Sequence, residues 1–117
     1  MKRFLAVIAL LLLASSACFA LSDSEYTRMK KNNADFAHAD QRLSQVWKKL
    51  KSSLPKQAFS QLQELQRDWL EYGRDEEATK LINESYSRVE AYTMVTSDRA
   101  ASLPDLAQNI VSRLKKK

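Results

Sequence analysis

Apolar residues return every three or four positions from Tyr26 to Leu114, and almost nothing interrupts them: the chain has one glycine, Gly73, and two prolines, Pro55 and Pro104. That spacing follows the 3.6-residue repeat of an α-helix rather than the two-residue repeat of a strand. With so few turn-forming residues there is little from which to build hairpins, so the expected fold class is all-α.

The pattern predicts a first helix over residues 23–53. Phe36, Ala39, Leu43, Val46, Trp47, Leu50 and Leu54 share one face, while Arg42, Lys48, Lys49 and Lys51 fall largely off it. Its first turns, around Tyr26 and Met29, outreach the other helices and are the place to expect projection or fraying. Pro55 stops this helix, because the residue before a proline avoids the α region, and the same proline is placed to open the next. The second helix carries Phe59, Leu62, Leu65, Trp69 and Tyr72 on its predicted buried side. At Gly73 two readings compete. Either Gly73 ends the helix in the left-handed region and Asp75 caps a new one, or the helix runs on to about Leu81, breaks at Asn83, and Glu84 opens the third. The second is favoured, since one glycine costs a helix only about 1 kcal/mol. The third helix is expected to bury Val89, Tyr92, Val95 or Thr96, and Arg99 or Leu103. Ser102 and Pro104 then read as the cap and first turn of a short final helix with Leu106, Ile110, Val111 and Leu114 inward. Short connections imply a small antiparallel bundle of three main helices plus a short C-terminal helix.

The first twenty residues follow a different logic. Lys2 and Arg3 make a short positive start, residues 4–13 are an unbroken apolar run, and residues 14–20 are mostly small. That order is the pattern of a cleavable secretory signal peptide, with cleavage expected after Ala20. The apolar run falls short of the roughly 20 residues that span a hydrocarbon core, and no later segment approaches that length. The expected organisation is a signal peptide over residues 1–20 and one domain over residues 21–117, periplasmic or secreted. Cys18 offers the alternative of a lipid-anchored N-terminus, although Ser15 stands where a lipobox carries leucine or a similar residue. Cleavage after Ala20 removes this one cysteine, so packing without disulfides must hold the fold. Losing Lys2 and Arg3 leaves seventeen basic residues against fourteen acidic ones, a mature charge of about +3. Arg113, Lys115, Lys116 and Lys117 concentrate part of it at the C-terminus. Cations in solvent suit the end of a helix there; weak contact with anionic surfaces is the other reading.

Little in the sequence points to catalysis. His38 is the single histidine, with no serine, cysteine or second histidine arranged about it, and the chain reads as a non-enzyme. One histidine and a cysteine lost with the leader do not make a structural zinc site. Asp75, Glu76 and Glu77 lack the glycine-containing loop of a calcium hand and read more simply as an acidic helix start. There is no glycine-rich phosphate loop, and aromatics are not interleaved with a basic stripe, so neither a cofactor nor nucleic acid is expected.

A further set of residues carries a resemblance. Ala39-Asp40, Leu43, Trp47 and Leu50 on one helix are followed by Leu65-Gln66-Arg67, Trp69 and Arg74-Asp75, and then by Thr96, Arg99 and Leu103. This order resembles the LprI-type lysozyme inhibitor family, over residues 33–103. Family members usually carry cysteines shortly after the Arg-Asp pair and shortly before the Thr-x-x-Arg segment. Ala78 and Ala91 stand nearest those places here, and Gly73 lengthens the spacing from Trp69 to Arg74 by one residue. The resemblance implies an exported protein that binds a lysozyme and blocks its glycan cleft. Arg74 or the basic residues Lys48, Lys49 and Lys51 are then candidates to enter an acidic cleft. Asp40, Leu43, Trp47, Gln66, Trp69, Arg74, Asp75, Thr96 and Arg99 are the motif positions, structural or partner-contacting. In the structural reading Arg74, Asp75 and Arg99 form a buried or half-buried ion-pair and hydrogen-bond network that fixes the register of the second and third helices, and Trp47 and Trp69 anchor the core. Composition alone supports a different class, a non-enzymatic helical envelope module without lysozyme activity, whose partner is another exported protein or the anionic envelope surface.

Overall fold

The computed structural model describes residues 20–116; the signal peptide expected over residues 1–20, including Cys18, lies outside the described residues but for Ala20, as does Lys117. The fold is all-α, a helical bundle. Its elements are α1 (Asp23–Asn32), α2 (Ala34–Ser53), α3 (Lys56–Asp68), a single π turn (Trp69–Gly73) that continues into α4 (Arg74–Asn83), and α5 (Arg88–Lys115).

The predicted helix over residues 23–53 is two helices. Asn33 is extended, at φ −132° and ψ 109°. Its backbone N–H donates to the Met29 carbonyl at 2.9 Å, and its side-chain amide donates to the same oxygen at 3.2 Å. An asparagine offers the backbone such an alternative to continuing the helix. The break folds α1 back, so that Met29 and Phe36 are both buried in one core cluster and Tyr26 meets Phe36 edge to face, with centroids 5.8 Å apart. The first turns therefore neither project nor stand apart. The short fourth helix of the bundle lies at the N-terminal end of the domain.

Pro55 acts as expected: Leu54 before it is extended, and Pro55 is the N-cap of α3. Gly73 is helical, at φ −62°, so the chain runs straight through it. The π turn takes in one extra residue, which is where the lengthened spacing after Trp69 is absorbed. Trp69 stays buried and Ala78 regains an inward phase, but Leu65 and Tyr72, expected inside, lie outside at 39% and 69% exposure.

The third long helix opens at Arg88 rather than Glu84. Ser85 takes the left-handed position at φ 83° that a glycine usually fills. Ser85 N–H then donates to the Ile82 carbonyl at 3.0 Å and Tyr86 N–H to the Leu81 carbonyl at 3.1 Å, which closes α4. Ser87 caps α5 in a reciprocal box with Glu90. Nor does α5 break at Ser102: Pro104 lies inside it. An interior proline costs about 3 kcal/mol. Leu103 and Ile110, at 0% and 1% exposure, are each worth about 1.5–3 kcal/mol when buried, which is enough to keep the helix whole.

The core has two parts. One gathers Leu21, Met29, Phe36, Trp69, Ala78, Ala91, Tyr92 and Val95; the other gathers Ala58, Leu62, Leu103, Ala107 and Ile110. Leu43 packs against both, and Val46, Trp47 and Leu50 of α2 line the second. Ala78 and Ala91, where the resembling family carries cysteines, are fully buried in the first part. No described helix is long and apolar enough to cross a membrane.

Candidate functional site

Around the π turn the motif residues come together. Asp40, Leu43, Trp69, Arg74 and Thr96 line one cleft of about 430 Å³, with Tyr26 and Leu70. Leu43 also borders an adjoining groove with Trp47, Gln66 and Leu70. Trp69 and Arg99 border a third of about 520 Å³, whose other walls include Leu65, Tyr72, Asp68 and Glu76. The three hollows thus share one hub, the turn from Trp69 to Gly73. A larger cleft near Asn33 and Tyr86 holds none of the motif residues.

Asp75 and Arg99 hydrogen-bond to other residues rather than to each other or to Arg74. Asp75 Oδ1 instead accepts from the Tyr92 hydroxyl at 2.5 Å and from the Leu21 backbone N–H at 3.2 Å. Burial first, and then the Asp75 carboxylate, push the Tyr92 hydroxyl well above the ordinary phenol range. Arg99 Nε donates to Gln66 Oε1 at 2.9 Å, and its guanidinium lies over the Trp69 ring at 5.2 Å. Partial burial pulls Arg99 below its ordinary value, which the Glu77 carboxylate opposes. A hydrogen bond to a charged group is worth about 1.5–3 kcal/mol, so the Gln66–Arg99 pair ties α3 to α5 without an ion pair. Arg74 Nε is buried with no hydrogen-bond partner, and the side chain lines the first cleft.

Asp40 is paired with Lys30, Nζ to Oδ2 3.2 Å, and Lys30 also lies over the Tyr26 ring at 5.6 Å. Trp47 is half-buried against Phe59, with centroids 5.0 Å apart. Trp69 Nε1 makes one long hydrogen bond, 3.5 Å, to Glu77. Glu76 and Glu77 do not begin a free helix, because α4 continues the π turn. His38 is exposed on α2, and among the described residues no group of three or more His, Cys, Asp or Glu side chains is placed to hold a metal ion.

A family model described as lysozyme inhibitor LprI matches residues 20–114. The chain belongs to that family. Comparison with curated proteins and with solved structures finds no match. Of the nine motif positions, Gln66, Trp69 and Thr96 are buried, at most 8% exposed.

Sequence reasoning missed what the turn puts outside. Leu65, Leu70 and Tyr72 are exposed beside Asp68, Glu71 and Glu76. The one available signal was the extra residue at Gly73, which breaks the phase between Trp69 and Arg74. Also missed was a clamp between α1 and α5, in which Arg88 donates from Nε and Nη2 to the two oxygens of Glu25. Arg88 also lies over the Tyr92 ring at 5.2 Å.

Proposed function

We propose that this chain is an exported protein that binds a lysozyme and restrains it by protein–protein contact, using the groove between Leu65 and Tyr72. The observation that carries this reading is the outward pair Leu65 and Tyr72 with Asp68 and Glu76 beside them, in a groove whose one cation among the described residues, Arg99, is held against Trp69 and Gln66. Animal lysozymes are basic, so a cationic side chain flanked by apolar surface is the complement the groove fits. A mature charge of about +3 opposes long-range attraction. That charge is concentrated elsewhere, on exposed Lys48, Lys49 and Lys51 of α2 and on Arg113, Lys115 and Lys116 at the end of α5. Aromatic anchors such as Tyr72 commonly dominate interfaces of this kind.

The test is hydrolysis of cell walls by lysozyme with the mature protein in micromolar excess. Inhibition is expected, and Tyr72→Ala or the pair Asp68→Asn, Glu76→Gln is expected to weaken it roughly tenfold or more with an unchanged circular dichroism spectrum. No inhibition by the wild-type protein removes the lysozyme reading. Full inhibition by the groove variants removes the assignment of the face.

A further inference from the structure

Asp75 faces the start of the described chain, where Leu21 N–H donates to its carboxylate. Leu21 has a side chain 7% exposed and belongs to the same core cluster as Phe36, Trp69 and Tyr92. Its backbone nitrogen lies 3.2 Å from Asp75 Oδ1, the oxygen that also accepts from Tyr92. Ser22 follows at once as the cap of α1, accepting from Glu25 N–H at 3.1 Å, whereas Ala20 is exposed. The step from exposed Ala20 to buried Leu21 falls at the same bond at which the small-residue stretch predicts cleavage.

A peptide N–H already makes a charge-assisted hydrogen bond to a carboxylate, while an ammonium on the same nitrogen adds a full opposite charge to that bond. We propose that Leu21 is the first residue of the mature protein and that its α-ammonium pairs with Asp75, so that removal of the leader completes the fold. Hydrolysis of the Ala20–Leu21 bond by a leader peptidase consumes one water. The water's oxygen leaves in the Ala20 carboxylate, and its two protons end on the Leu21 nitrogen, which becomes an ammonium. Before cleavage the same nitrogen is an uncharged amide, and the precursor holds the contact more weakly. The inference is independent of what the mature protein binds.

Intact mass and N-terminal sequencing of the exported protein give the first answer: a chain beginning at Leu21 is expected, and one beginning at an acylated Cys18 overturns the proposal, because the Leu21 nitrogen then stays an amide. The second answer compares two forms released from a cleavable tag, one starting at Leu21 and one retaining Ala20, each with Asp75 and with Asp75→Asn. The Leu21 form is expected to melt roughly 4–8 °C higher with Asp75 in place, and the difference is expected to collapse in the asparagine background. An equal difference in both backgrounds, or none in either, overturns the pairing. Should Asp75→Asn fail to fold, NMR titration of the α-amino group in the wild-type Leu21 form decides. A midpoint raised above the ordinary range of about 7.7–8.0 supports the pair, and one within it overturns the pair.

Discussion

At the scale of single residues, Gly73 is where two preferences collide. Alanine would gain about 1 kcal/mol in helix propensity over glycine. Its Cβ, however, would lie 3.1 Å from Trp69 Cδ1. Trp69 has little room to retreat, being 5% exposed with Arg99 over its ring. Overpacking of this kind costs about 1–3 kcal/mol, so Gly73→Ala is expected to lower stability by about 1 kcal/mol, read from the midpoint of denaturant unfolding. A gain in stability would show that Trp69 moves freely. Other decisive residues were harder to read from sequence. Pro55 was legible because proline restricts its predecessor through sterics that act locally. Asn33 was not, since asparagine is tolerated in helices and the burial of Met29 and Phe36 on either side of it decides the break. Ser85 escaped for the converse reason, as it holds a left-handed position for which the sequence offers no glycine.

At the scale of elements, the joints between helices are what the sequence left open. Ser102 and Pro104 satisfy a helix start and a helix interior equally well, and only the burial of Leu103 and Ile110 against α3 separates them. The roles of Arg74 and Asp75 were hidden because Tyr92 and Leu21 lie 17 and 54 residues from Asp75. The Glu25–Arg88 clamp spans 63 residues and was equally out of reach. That clamp has a pH consequence. Its hydrogen bonds from Arg88 hold the Glu25 carboxyl below its ordinary value of 4.5. A carboxyl lowered in the folded state contributes stability that is present above its unfolded pKa and is lost as pH falls through the folded value. Below about pH 4.5, then, α1 is expected to loosen from α5 before the rest of the bundle melts. Hydrogen exchange of α1 amides between about pH 5 and 3 measures this, with Glu25→Gln as the control. Wild-type exchange that matches Glu25→Gln across that range, after correction for intrinsic rates, would show that the clamp holds nothing.

At the scale of the whole molecule, the distribution of charge separates the two functional classes. The groove beside Leu65 and Tyr72 carries acids, while the end of α5 carries Arg113, Lys115 and Lys116 in solvent. If a basic lysozyme is the partner, the basic tail opposes its approach without touching it. Deleting residues 115–117, which leaves Leu114 packed against the core, should then speed association several-fold at about 10 mM salt, where the Debye length is about 30 Å. The gain should vanish near 1 M, where that length is about 3 Å, and the dissociation rate should stay the same because the groove is unchanged. An envelope module that docks on anionic surfaces predicts the opposite sign, since the tail is then its point of contact and its removal abolishes binding. Stopped-flow association with lysozyme, run beside sedimentation with anionic vesicles, reads both. Faster capture of lysozyme by the truncated chain supports the groove, whereas slower capture together with loss of vesicle binding assigns the interaction to the tail.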